Sequence, residues 1–133
     1  MIPFLVHDSA GRILRFGTVP EEAAVQIQAH AGETARIAEA GPDDWWNGHS
    51  VVPRPLPPAP PALVAGVEAV WAGLPPGAGV TATDPATGIV AGASEADAHG
   101  NLPLTLPAGP WRIEVNPPFP TVAREWLIEV APE

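Results

Sequence analysis

The stretch "VVPRPLPPAPPALVAG" (Val51–Gly66) carries six prolines in sixteen residues and divides the chain into parts of different pattern. Each proline fixes φ near −65° and drives the residue before it towards extended geometry, so the run prefers polyproline II. At about 3 Å per residue, Pro53 to Pro61 would span about 25 Å as a spacer. "PRPLPPAP" also fits the pattern read by SH3-type grooves. Such readers belong mostly to eukaryotic signalling, whereas a lysine-free, all-arginine basic set points to a bacterial or viral genome, so the spacer is the preferred reading.

Downstream of the prolines the pattern is β. "VEAVWAGL", "GVTATDP", "GIVAGAS", "LPLTLP", "WRIEV" and "EWLIEV" are short runs separated by Gly, Pro, Asp and Asn. Trp111, Ile113 and Val115 alternate with Arg112, Glu114 and Asn116, and Trp126, Ile128 and Val130 repeat that alternation. Leu102, Leu104 and Leu106 do the same around Pro103, which suits an edge strand. Six or seven such strands predict a small antiparallel sandwich with Trp71, Trp111 and Trp126 in its core.

Upstream, "IPFLVHD" and "ILRFGTV" read as a hairpin turned by "DSAG", with Asp8 forming an Asx-turn and Gly11 free to take positive φ. "TVPEEAAVQIQAHAG" predicts a short helix: Thr18 and Glu21 stand at capping-box spacing, and Gly32 is the stop. Its apolar face is Ala24, Ile27 and Ala31. "ETARIAEA" follows as a third strand, and "GPDDWWNGHSVV" as a loop leading into a last short strand. Phe4, Val6, Ile13, Phe16, Ile27 and Ile37 are the sizeable core candidates, a set too thin to be secure alone.

The expected fold is therefore mainly β: an N-terminal hairpin-plus-helix docking module (1–52), a Pro-rich linker (53–63) and a C-terminal β-sandwich (64–133). Net charge is −9, and the regions before and after the prolines are both acidic. That argues against nucleic acid and anionic membranes as partners, since both demand a basic face. Cysteine is absent, so no disulfide supports a small core. No run approaches the roughly 18 apolar residues of a membrane span. Asp8 and the absence of a basic opening argue against a secretory signal in "MIPFLVHDSAGR".

Catalytic and metal chemistry find little support in the spacing. His7, His30, His49 and His99 show no i, i+4 or H-x-H pair. Asp97 and His99 in "EADAHGN" supply too few ligands for calcium and read as a tight turn. Ser9, Ser50 and Ser94 sit in no G-x-S-x-G context, and the adjacent Asp43 and Asp44 read as solvated. No cofactor, metal or catalytic residue is expected, and a small hydrolase ranks last. "DDWWNGH" is the distinctive stretch: two adjacent tryptophans on an extended chain cannot both point inward, so one is free to anchor a partner or stack on a sugar. Trp45, Trp46, His49 and Arg54 are the candidate interface residues.

Residues 64–131 also resemble the transthyretin-like or carboxypeptidase-regulatory-like sandwich. Asp97, Gly100, Leu102 and Leu104 match its "t-d-x-d-G-x-f-x-l" element, and Leu106, Pro107, Gly109, Trp111, Ile113 and Val115 match "l-p-x-G-x-y-x-l-x-v". Residues 1–55, with "FLVHDSAGRILRFGTVP", "QIQAHAGE" and "GHSVVPRP", resemble the openings of small tailed-phage virion proteins. Together these resemblances imply a non-enzymatic structural component of a phage-like or gene-transfer-agent particle, at a tail tip, fibre base or capsid surface. It would be made in the host cytoplasm and end in the virion. Its partners would be other virion proteins and further copies of itself, with a host glycan as an additional ligand. The alternative is a carbohydrate-binding module that uses exposed tryptophans.

Overall fold

The computed structural model describes residues 1–133. Strands hold 43% of them and helix 3%, so the protein is mainly β, in several antiparallel sheets. It divides into two compact units, Met1–Arg54 and Pro55–Glu133.

In the first unit, β1 (Ile2–His7) is the central strand, with β2 (Ile13–Val19) on one side and β3 (Thr34–Arg36) on the other, both antiparallel. Alternation sends Phe4 and Val6 to one face of β1, where they pack with Val19, Val25 and Ala35. Leu5 and His7, on the opposite face, are buried too. A separate hairpin, β4 (Asp44–Trp46) and β5 (Val51–Pro53), meets the sheet at a single bridge between Arg12 and Trp45. The "DWW" stretch (Asp44–Trp46), expected as loop, is thus a strand.

The helix differs from expectation. α1 covers only Ala23–Gln26, and no side chain caps its start. Thr18 is unavailable for capping because β2 takes it, opposite Pro3. Pairing with β1 has overridden the local signal. A helix of one turn buries only Val25 fully, with Ala24 packed at the margin of the cluster. Ile27 is 75% exposed, and Phe16 and Ile37 also lie largely outside, so three of the expected core residues are surface. Val19, Val25 and Ala35 fill the space instead.

In the second unit, a four-stranded antiparallel sheet runs in the order β11 (Arg124–Val130), β10 (Gly109–Asn116), β7 (Gly79–Thr83), β8 (Val90–Glu95). A two-stranded pair, β6 (Ala69–Trp71) with β9 (Leu102–Leu104), accompanies it. Trp71, Leu74, Leu102 and Leu106 join Val80, Ala82, Ile113, Val115 and Val130 of the sheet in one apolar cluster. Trp71 is 2% exposed and meets Trp126 edge-on, with centroids 5.6 Å apart. Trp111 and Trp126 pack on the margin of this cluster and not at its centre. Pro103 lies opposite Val70 in a strand paired on one side only, so its missing N–H leaves no second ladder incomplete.

Residues 53–63, expected as a free spacer, divide between the units. Pro53 belongs to β5, opposite Asp44, and the Arg54 N–H donates to the Asp43 carbonyl. From Pro55 the chain joins the second unit: the Val122 N–H donates to the Pro55 carbonyl, Pro57 is buried and Leu63 enters the core. The reason is chemical. Proline lacks a donor, but its carbonyl still accepts and its ring is apolar, so such a run can lie along a fold as readily as in water. Beyond it, Val64 forms a parallel bridge to Ala131, next to the end of β11.

Candidate functional site

The chemistry of the first unit collects where the β1–β2 turn meets the β4–β5 hairpin. Asp8 organises the turn: its Oδ1 accepts the Ala10 and Arg12 N–H groups at 3.0 and 2.9 Å, and its carbonyl accepts that of Gly11. Gly11 has φ +89°, and a Cβ there would lie 1.9 Å from the Trp46 carbonyl oxygen. Only glycine permits β4 to approach so closely, and the Trp46 N–H then donates to the Gly11 carbonyl at 2.9 Å. At the far end of β4, Asn47 Oδ1 accepts the N–H groups of His49 and Ser50 and closes the hairpin.

This frame fixes Trp46 over two residues from other strands. The His7 ring stacks on it, centroids 5.7 Å apart and 11° from parallel, and the Arg36 guanidinium carbon lies 4.1 Å from its centroid. Arg36 Nε donates to His7 Nε2 at 2.8 Å. A bond that short cannot reach through an indole, so His7 and Arg36 share one face of Trp46. His7 Nδ1 lies 2.7 Å from the Asp8 carbonyl. Both bonds together require the tautomer with its proton on Nδ1. Neither ring nitrogen is left to serve Ser9 as a base, although Ser9 borders the same cleft. The cleft, about 310 Å³, is lined by His7, Ser9, Arg36, Trp46 and the Asn47–Gly48 turn, with Trp45 beside them.

Of the residues expected at an interface, Trp45 and Trp46 reach this cleft, while His49 and Arg54 do not line it. His49 is exposed in the hairpin loop, and Arg54 follows β5. His7 and Arg36 complete the group. Sequence reasoning weighed His7 only as a metal ligand and passed over Arg36, because positions 7, 36 and 46 share no spacing and meet only through non-local strand pairing. Glu33, nearby in sequence, is held below the usual carboxylate range by its bond from Arg15 and then by the His30 N–H.

In the second unit, Asp97 builds the turn expected of "DAHG". Its Oδ1 accepts the Asn101 and His99 N–H groups, both at 2.9 Å, and these bonds, Asn101 first, hold its carboxyl below the ordinary value. A smaller cleft of about 120 Å³ opens between β8 and β9, bordered by Val80, Ala91, Gly92, Leu102 and Leu104. No three His, Asp or Glu side chains converge at any point in the chain. Compared with models of protein families, with curated proteins and with solved structures, the chain matches none of them.

Proposed function

We propose that this protein is a non-enzymatic assembly component of a phage-like particle, at a tail tip, fibre base or capsid surface, present in several copies and bound to other virion proteins. The observation that carries the assembly part is β8. It is the outer strand of the four-stranded sheet, all six of its residues are exposed, and its single charge is Glu95 at the end, with none from Pro85 to Ser94. An open edge of so little charge is what an added strand requires, and proteins that avoid such pairing place charge or proline there. β11, at the other edge, carries Arg124, Glu125 and Glu129 and is protected in that manner. In a chain of net charge −9, copies meet most cheaply where charge is lowest.

The virion setting rests on the resemblance of residues 1–55 to small tailed-phage proteins. On this reading the first unit docks, the prolines stiffen the exit from it, and the second unit, of transthyretin-like type, is displayed. The test is mass in solution and presence in purified particles, for the parent and for Ala93→Lys. The reading expects parent oligomers or particle incorporation, lost in a folded Ala93→Lys variant. A parent protein that stays monomeric and absent from particles contradicts it.

A second reading, sugar binding, draws on the cleft. Trp46 is half-buried with His7 and Arg36 on one face, and Ser9 and Asn47 add polar groups suited to hydroxyls.

A further inference from the structure

Five of the six arginines have an evident occupation or lie outside a cleft of suitable chemistry. Arg12 faces Asp8, Arg15 faces Glu33 and Arg112 faces Glu114. Arg124 lies against Trp126 on an exposed strand, and Arg54 is held where the first unit ends. Arg36 is different. Its Nε is committed to His7 and its guanidinium carbon lies over the Trp46 ring, yet its two terminal nitrogens donate to nothing in the chain and no carboxylate stands within ion-pair distance. Two fixed contacts orient the guanidinium before any ligand arrives, so little rotamer freedom remains to be lost on binding. Arg36 borders the 310 Å³ cleft.

We infer that Arg36 makes this cleft a site for an acidic sugar, its terminal N–H pair receiving the ligand's carboxylate while the hydroxyls meet Ser9 and Asn47. The inference rests on the sugar-binding reading above and names its substrate class. A planar guanidinium matches a carboxylate through two parallel bonds. A monoanion fits better than a phosphate, because Arg36 is the one cation lining the cleft and the chain as a whole is strongly acidic. The Asp8 carboxylate does not compete, since it is turned to the Ala10 and Arg12 N–H groups. The Ser9 hydroxyl and the Asn47 side-chain amide N–H₂ make no bond within the chain, and both line the cleft. The volume lies at the small end of ligand clefts, suited to one ring.

The experiment titrates the full-length protein with glucuronate, glucose and acetate and follows the Arg36 Nε–H and Trp46 indole N–H resonances. Glucuronate should shift both, and bind about tenfold or more tightly than glucose or acetate, as a charge-assisted hydrogen-bond pair implies. Arg36→Gln should lose that margin, and Arg36→Lys, which keeps the charge without the fork, should recover only part of it. Should Arg36→Gln not fold, the parent protein still decides: its glucuronate affinity must weaken with added salt. Glucose binding as well as glucuronate would overturn this inference and leave the sugar-binding reading standing. Acetate binding as well as glucuronate would reduce the site to a carboxylate clamp and overturn the sugar class. No shift with any of the three would overturn both.

Discussion

The turns Asp8–Arg12 and Asp97–Asn101 are built alike, one in each unit. In both, the aspartate Oδ1 accepts the N–H groups two and four residues on, its carbonyl accepts that of the glycine, and its own N–H donates to the fifth residue. Both glycines take positive φ with a foreign carbonyl pressed against Cα: Trp46 at Gly11, Leu74 at Gly100. Both glycine carbonyls accept the N–H of that same residue, at 2.9 and 3.1 Å. The difference lies one step further out. Leu74 is 3% exposed and disappears into a core, whereas Trp46 is half-exposed and carries His7 and Arg36. The same local device therefore serves packing in one unit and presents a cleft in the other. Turn chemistry reports structure, and function has to be argued from what the turn holds in place.

Adding a methyl to each glycine is the severest way to break this comparison. Gly11→Ala and Gly100→Ala each force a Cβ to within 1.9 or 2.2 Å of a backbone oxygen, at a φ that alanine rarely adopts. Each should cost about 3 kcal/mol in urea unfolding of its own unit. Gly100→Ala should leave the Trp46 and Arg36 resonances unchanged, while Gly11→Ala should shift both. A Gly11→Ala protein of unaltered stability would show that β4 does not lie against the turn.

A smaller effect sharpens the contrast between the two cores. The main apolar cluster has five buried residues in the first unit and twelve in the second. Val25→Ala should therefore destabilise the first unit by about 2 kcal/mol, and Ile27→Ala should stay within about 0.5 kcal/mol. Equal losses would restore Ile27 to the core and overturn the short helix.

The smallest effect is acid sensitivity, which each unit should show through one carboxylate. Glu33 and Asp97 both have folded values below their ordinary ones, so their stabilising effect is complete above the unfolded pKa and fades as pH falls through the folded value. Asp97 is exposed and Glu33 lies at the surface beside a partly exposed Arg15, so the loss should be slight. Carboxyl NMR titration should place the Glu33 midpoint below the ordinary glutamate value and the Asp97 midpoint below the ordinary aspartate value. Midpoints at those ordinary values would mean that the bonds from Arg15 and Asn101 do not persist in solution.

How much of this could be read beforehand follows from range along the chain. The strands of the second unit were legible because each is a local alternation, as in Trp111, Ile113 and Val115, bounded by its own turn residues. The aspartate–glycine turns were legible for the same reason. The helix was not, because Thr18 and Val19 satisfy β1 better than they satisfy a cap, and no local pattern records that choice. Trp45 and Trp46 could be singled out by their exposure on an extended chain. His7 and Arg36 could not be joined to them, since their meeting needs β1 and β3 paired and β4 laid against the turn. The prolines misled in a different way: composition reports stiffness and says nothing of whether a stiff segment lies against a fold.

The account stands most heavily on the second unit having an interior of its own, closed by Trp71 and Leu63 without help from residues 1–54. Producing residues 55–133 alone and recording their amide spectrum tests this directly. The account requires dispersed strand resonances, with slow exchange along β7 and β10 and a protected Trp71 indole. A collapsed, rapidly exchanging spectrum would mean that the two units share the work of folding, and the separation on which the comparison rests would be lost.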